Sequence, residues 1–301
     1  MTQIFKFQEL SHTVDWPLWA TGSDYRDGDS EPYHNHDFYE LVLVRGGSGK
    51  HIFDGEQFPI RAGNVFLVAP WQFHGYQGID SLHICNILFY PQILENHLED
   101  LNAIPGFQLL FHIAPGMEIE RRRTGNLRVG EETLAAAMEL VNVMSQEQNR
   151  RAAGYRSAMA AAFLNLVLLL SRNCEPGDGK YYLHAERISR VIGYMEKNYR
   201  EEITLAKLTR LAGMSGSSFR RHFQEATGES PIAYLLALRL RKAARLLSSQ
   251  RLPVGETALR CGFNDSNYFS HQFRRLFGVS PSEYSGNGAA RPPENKKPEQ
   301  A

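Results

Sequence analysis

Phe219-Arg220-Arg221-His222-Phe223-Gln224-Glu225-Ala226-Thr227-Gly228-Glu229-Ser230-Pro231-Ile232-Ala233-Tyr234 returns, in outline, fifty residues later. The second copy reads Phe269-Ser270-His271-Gln272-Phe273-Arg274-Arg275-Leu276-Phe277-Gly278-Val279-Ser280-Pro281-Ser282-Glu283-Tyr284. The two phenylalanines, the glycine, the Ser-Pro pair and the tyrosine keep their places. Just upstream, at an offset of forty-nine, Leu205 and Ala212-Gly213 recur as Val254 and Cys261-Gly262. Phe219/Phe223 and Phe269/Phe273 are spaced i, i+4, so each pair lies on one face of a helix. Gly213 and Gly262 stand where a helix ends in a turn that only glycine enters cheaply. Ser230-Pro231 and Ser280-Pro281 restart helices, serine as N-cap and proline at the first helical position. Each copy is therefore a short helix, a glycine turn and a second amphipathic helix. That is the outline of a helix-turn-helix, whose second helix suits a DNA major groove. Two units are too few for a solenoid.

The outward faces of the second helices carry the chemistry. The first shows Ser217, Arg220, Arg221 and Gln224, with Ser218 beside them; the second shows Asn267, Ser270, His271 and Arg274. Each set follows i, i+3, i+4, i+7 and so forms one stripe. Arginine reads guanine bidentately, and Asn or Gln reads adenine. A solvated helix face is the alternative for any such stripe. Between the units, residues 231–247 read as one helix of roughly 25 Å at about 1.5 Å per residue. It could hold two recognition helices about one DNA turn, ~34 Å, apart. Its polar face carries Arg239, Arg241, Lys242 and Arg245, and the arginines could lie against phosphates or simply solvate the helix. The chain is formally neutral, but residues 1–179 carry 13 Lys/Arg against 22 Asp/Glu, a net of −9. Residues 180–285 carry 17 against 9, a net of +8. A basic C-terminal module beside an acidic N-terminal one places double-stranded DNA at one end only.

The run from Lys242 to Pro281, above all Arg260-Cys261-Gly262-Phe263-Asn264-Asp265-Ser266-Asn267-Tyr268-Phe269 and Phe273-Arg274-Arg275-Leu276-Phe277-Gly278-Val279-Ser280-Pro281, resembles the signature of the AraC/XylS family of bacterial transcription regulators. The resemblance spans about residues 185–285. Two positions depart from the pattern: Thr257 stands at the position of Leu208, and Thr209 at that of Ala258. A threonine hydroxyl at such a contact can bond a carbonyl one turn back. The resemblance also implies recruitment of RNA polymerase through the second unit, where Glu256 and Asp265 are acids on an otherwise basic module. Their alternative role is local. Glu256 in a first turn favours the helix dipole, and Asp265 could cap the recognition helix.

The N-terminal half reads differently. Short apolar stretches at 41–44, 50–53, 64–68 and 82–90, punctuated by glycine, predict strands. Gly46-Gly47-Ser48-Gly49 and Phe53-Asp54-Gly55-Glu56 read as hairpin tips. Closely spaced strands of this kind predict a jelly roll or cupin barrel, and thus an α+β chain of two domains. His34-Asn35-His36, Glu40 and Gly46 resemble the first cupin motif; Pro59, Gly63 and His74 resemble the second. Such a barrel holds a small effector in AraC-type regulators, and residues 34–90 most resemble the L-rhamnose-responsive members.

Three readings of these residues stay open. His34, His36, Glu40 and His74 are the donor set of metal-dependent cupin enzymes, and strand parity turns His34 and His36 to one face. On that reading the barrel is a dioxygenase or isomerase fused to a DNA reader and holds a divalent metal. Alternatively His34, His36, Glu40, Trp71, His74 and Tyr76 form a pocket for an effector, a sugar, with Trp71, Phe73 and Tyr76 as stacking surface. On that reading the chain has no catalytic residue and no required cofactor. The third reading has some of these histidines simply satisfying one another or facing solvent. The second reading, a regulator controlled by a sugar, is the expectation carried forward.

At 301 residues the chain exceeds the usual single domain. The expected order is an effector and dimerisation domain over 1–174, a linker over 175–183, a DNA-binding domain over 184–285 and a disordered tail over 286–301. Residues 131–148 and 158–172 read as connector helices. The second is apolar on nearly every face yet too short for a membrane span. It suits either a homodimer interface or an intrachain core. Cys85, Cys174 and Cys261 are scattered and lack CxxC spacing, which fits a reducing cytoplasm. The first fifteen residues show no apolar signal-peptide core.

Overall fold

The computed structural model describes residues 3–11, 16–53, 55–116, 127–175, 180–250 and 252–286. The expected linker residues 176–179 and the tail beyond 286 lie outside them. The chain forms two compact units that divide between Arg190 and Val191.

The first unit is built on one eight-stranded sheet. Its strands are β1 (Gln3–Phe5), β2 (Leu18–Asp24), β3 (Glu31–His36), β4 (Tyr39–Phe53), β5 (Glu56–Arg61), β6 (Asn64–Val68), β7 (His74–Phe89) and β8 (Leu127–Arg128). The order is β1-β3-β7-β4-β6-β8, with β2 also on β7 and β5 also on β4. Two long antiparallel strands, β4 and β7, thus carry the others on their outer edges. The expectation of short strands fails here: residues 41–44 and 50–53 belong to one strand of 15 residues, and 82–90 falls largely within one of 16. Gly46-Gly47-Ser48-Gly49 is not a hairpin tip. It is a bulged crossing inside β4, where the register with β7 shifts at each step from Val44 to Lys50. Gly47 adopts φ +71°, and a Cβ there would run into the carbonyl of Ser81, so the crossing needs glycine. The other expected tip is a hairpin, with Phe53 paired to Glu56 and Gly55 at φ +84°.

The first half of β4 is buried without alternation, because both its faces are covered. Val42, Val44, Ile60, Tyr76 and Ile84 pack together on one side of the sheet. On the other lie helices α1 (Glu131–Arg150) and α2 (Tyr155–Asn173). Cys85 Sγ stands 3.9 Å from Met138 Sδ of α1, and Phe89 and Phe163 of α2 bring their rings to 5.0 Å. Gln148 of α1 closes the sheet edge: its amide accepts from Ala20 N–H and donates to Ala20 C=O, both at 2.9 Å. A buried amide thereby stands in for a missing strand.

Helix α3 (Lys180–Asn198) crosses the division, and the second unit is all helix: α4 (Leu205–Ala212), α5 (Gly216–Thr227), α6 (Pro231–Gln250), α7 (Val254–Arg260), α8 (Ser266–Phe277) and α9 (Pro281–Gly286). The repeated residues make repeated contacts. Phe219–Phe223 and Phe269–Phe273 lie 5.5 and 5.6 Å apart, and Tyr234 and Tyr284 meet Phe223 and Phe273 edge-on at 80° and 79°. All four phenylalanines are fully buried. Gly213 and Gly262 turn at φ +60° and +79°. Ser280 caps α9 through Glu283 N–H while Glu283 Oε2 accepts from Ser280 N–H, a reciprocal box that unit one lacks.

Two expectations change in this core. Thr209 bonds the carbonyl of Ala206 at 3.0 Å, as anticipated, but Thr257 does not follow it. Its hydroxyl is buried with no hydrogen-bond partner, at a place where unit one has Leu208. In α6, Arg239 and Lys242 do not simply solvate the helix surface but are held within the unit. Arg239 donates to the carbonyls of Tyr199 (2.7 Å) and Glu201 (2.8 Å), and buried Lys242 pairs with Glu196 at 3.2 Å.

Candidate effector site and nucleic-acid interface

Strands β3, β4 and β7 bring His36, Glu40 and His74 together in the barrel interior. Each is almost fully buried. His36 Nε2 and His74 Nε2 both stand 3.3 Å from Glu40 Oε2. Neither contact has hydrogen-bond geometry, and all three atoms lack a partner. His36 Nδ1 lies 2.8 Å from the carbonyl of Phe38, which can only accept, so Nδ1 carries the proton. In the neutral ring, Nε2 then presents a lone pair towards Glu40. Burial, reinforced by His51, His34 and His36, holds His74 well below the usual imidazole range, so His74 is neutral. Tyr76 is fully buried, its hydroxyl has no partner, and burial ahead of Glu40 raises it well above the ordinary phenol value.

Each uncompensated buried polar atom costs about 1–3 kcal/mol. Histidines that satisfied one another would not show this pattern, whereas a site shaped for a bound group would. The donor set also fits a divalent ion. Two imidazole nitrogens and one carboxylate oxygen converge within 4.8 Å of one another.

The other sequence-derived residues divide. His34 is buried with its ring 4.3 Å from that of His74, but its Nδ1 donates to Pro32 C=O and it is not one of the converging donors. Trp71 is 61% exposed, so the structure does not bring it into the buried cluster. Its backbone sits at φ +66°, a conformation costly for a bulky residue, and its N–H donates to His36 C=O at 2.8 Å. Phe73 stacks on Tyr33 at 5.4 Å in the same region. Sequence reasoning missed His51, whose ring lies 5.7 Å from His74 and 5.3 Å from Tyr76. It also missed the Tyr25–Glu31 pair, a 2.7 Å hydrogen bond near Tyr76; burial raises the Glu31 carboxyl against the opposing pull of the Tyr25 hydrogen bond.

In the second unit, the stripes stay outside. Ser217, Arg220, Arg221, Gln224, Asn267, His271 and Arg274 are exposed, with Ser218 and Ser270 half-buried. The local bonding differs between them. Arg221 donates to His222 Nε2 at 3.1 Å, and His222 Nδ1 in turn donates to Glu225 at 3.0 Å, so this arginine is braced. Gln224 donates to Gly228 C=O, and Ser270 to Ser266 C=O. Helix α5 is capped by Ser215, which accepts from Ser218 N–H, and α8 by Asp265, which accepts from Asn267 and Tyr268 N–H. Glu256 pairs with Arg260 at 2.6 Å on the exposed face of α7.

Known proteins agree with this division. Residues 21–164 match the AraC-like ligand binding domain, and residues 208–287 match a helix-turn-helix domain. The chain is 30% identical over 286 residues to the HTH-type transcriptional activator RhaR of Mannheimia succiniciproducens, covering 94% of this chain and 98% of that one. It is 32% identical over 257 residues to the HTH-type transcriptional activator RhaS of Enterobacter sp. strain 638, covering 84% and 86%. The DNA-binding domain of AdpA, solved with a target DNA, is 33% identical over 33% of this chain and 90% of that one, at a TM-score of 0.32. No helix among the described residues is long and apolar enough to cross a membrane. The chain belongs to the AraC family: it is a DNA-binding transcriptional activator with a cupin-like ligand-binding domain, a regulator and not an enzyme.

Proposed function

We propose that this activator answers to a sugar bound in the barrel, acts as a homodimer in the cytoplasm, and reads two half-sites with one chain. The observation that carries the effector reading is the cluster of partnerless buried polar atoms on His36, Glu40, His74 and Tyr76. A polyhydroxylated ligand offers both donors and acceptors to such groups, and aromatic Phe73 and Tyr33 at the rim suit a sugar's apolar face. His34 lines the same wall. L-rhamnose is the effector this reading names, from the resemblance of residues 34–90 to rhamnose-responsive regulators. The dimer reading rests on α1, where Val143 remains 44% exposed and follows Ala136 and Leu140 along one apolar stripe.

For DNA, the reading residues are Ser217, Ser218, Arg220, Arg221 and Gln224 in the first unit, and Asn267, Ser270, His271 and Arg274 in the second. Selection of bound sites from random duplex DNA by the full chain tests this. Two dissimilar half-sites about 10 base pairs apart are expected, with affinity falling steeply in salt. Enrichment of a single half-site would overturn the two-unit reading. Glu256 and Asp265 are assigned to RNA polymerase. Asp265 also caps α8, so Glu256→Ala is the cleaner test. Transcription should fall while DNA affinity holds, and a parallel loss of both would remove the polymerase contact.

A further inference from the structure

We infer that the barrel binds one divalent transition-metal ion through His36 Nε2, Glu40 Oε2 and His74 Nε2, and that the ion offers its remaining positions to effector hydroxyls. The second half rests on the effector reading above; the first does not.

His36 Nδ1–H is engaged by Phe38 C=O, so in the neutral ring, the form that ligates a metal, Nε2 offers its lone pair towards the Glu40 carboxylate oxygen. Two acceptors 3.3 Å apart repel unless a positive centre lies between them. A proton serving that purpose would align N–H with Oε2, and that alignment is absent. A metal ion needs something else: ligands about 2.0–2.2 Å from a common point, hence about 3.0–3.5 Å from each other. Both histidine–glutamate separations are 3.3 Å. The Phe38 carbonyl holds His36 as an outer-sphere partner holds a ligating imidazole. Two imidazoles and one carboxylate select a transition ion such as zinc, iron(II), manganese or nickel over calcium or magnesium, and leave positions open. His34 is outside the set, so this is a three-donor site, one fewer than the sequence motif offers.

The test uses the full chain, stripped with chelator, then titrated with cobalt(II) and zinc(II) and followed by native mass spectrometry and by the cobalt absorption bands. One ion per chain is expected, with affinity reduced more than about tenfold in Glu40→Gln and in His74→Gln. His83→Gln, at an exposed residue paired with Asp24, should bind the ion like the wild type. If the first two variants fail to fold, histidine-type cobalt bands in the wild type still decide the matter. No ion taken up, or uptake equal in all variants, overturns the site. L-rhamnose is then added to stripped and reloaded protein. Metal uptake without any sugar response leaves the ion and removes the effector reading. Sugar response without metal uptake does the reverse. A sugar response equal in stripped and reloaded protein overturns the ion's link to the effector.

Discussion

The barrel hides its polar chemistry and the helical module displays it. Inside the sheet, His36 Nε2, Glu40 Oε2, both ring nitrogens of His74 and the Tyr76 hydroxyl are buried without hydrogen-bond partners; inside the helical module, the corresponding space holds packed phenylalanines. Outside, the contrast reverses: the recognition stripes of α5 and α8 are polar and exposed. A small ligand that must be enveloped needs an interior with unmet bonds, whereas a DNA duplex needs an exterior on a rigid core. The two ends of one chain therefore differ in where they tolerate instability. The barrel carries its instability at the site itself. The module keeps its phenylalanine frame and varies mainly the surface of each repeat, with Thr257 in place of Leu208 as a buried exception.

The largest effect should come from breaking the module's frame. Phe273→Ala removes a fully buried ring that touches Phe269, Phe277 and Tyr284, and should destabilise the second unit by about 3–5 kcal/mol. Chemical denaturation of the full chain should then show the helical module melting early with the barrel transition unchanged. A single shared shift would mean the two ends are not independent in this sense.

Changes on the module's surface should leave the frame alone. Arg221→Ala and Arg274→Ala should each weaken specific DNA binding by about 1–3 kcal/mol and relax base choice in one half of the site. The two effects should roughly add, since the residues belong to different helix-turn-helix units. Unchanged preference at both half-sites, read from binding to systematically altered duplexes, would mean that another face does the reading.

In the barrel the contrast predicts the opposite sign. Tyr76→Phe deletes a buried hydroxyl that has no partner, so it should raise stability by about 1 kcal/mol while weakening the transcriptional response to effector. A loss of stability would show that the hydroxyl is satisfied and the site is structural. Thr257→Val makes the same change in the helical module, where no ligand is expected. It should stabilise by up to about 1 kcal/mol, with DNA binding and effector response both intact. The pair separates a functional orphan from an incidental one.

How much the sequence disclosed follows the same division. The helical module was legible almost to the residue because its signals are local: ring spacing, turn glycines and caps act within one or two turns and are written twice. Even there, Arg239 and Lys242 looked like surface cations, since nothing local reveals that Tyr199, Glu201 and Glu196 fold back upon them. In the barrel, His36, Glu40 and His74 were found through their resemblance to a motif. His51 was missed because parity fails across the bulges at residues 44–50, which shift a strand's facing halfway along. Trp71 was misplaced for a related reason. Its strained backbone turns the indole outward, and no pattern in Pro70-Trp71-Gln72-Phe73 announces a positive φ.

The account rests most heavily on the buried cluster being the place where the effector acts. Thermal unfolding of the full chain, wild type and Glu40→Gln, followed across a concentration series of L-rhamnose in metal-replete buffer, tests this directly. The wild type should gain stability with the logarithm of sugar concentration, reaching about 2.7 kcal/mol at a hundred times the dissociation constant. Glu40→Gln should show no such gain while unfolding cooperatively. An equal gain in both proteins, or none in the wild type at any concentration, would contradict the account.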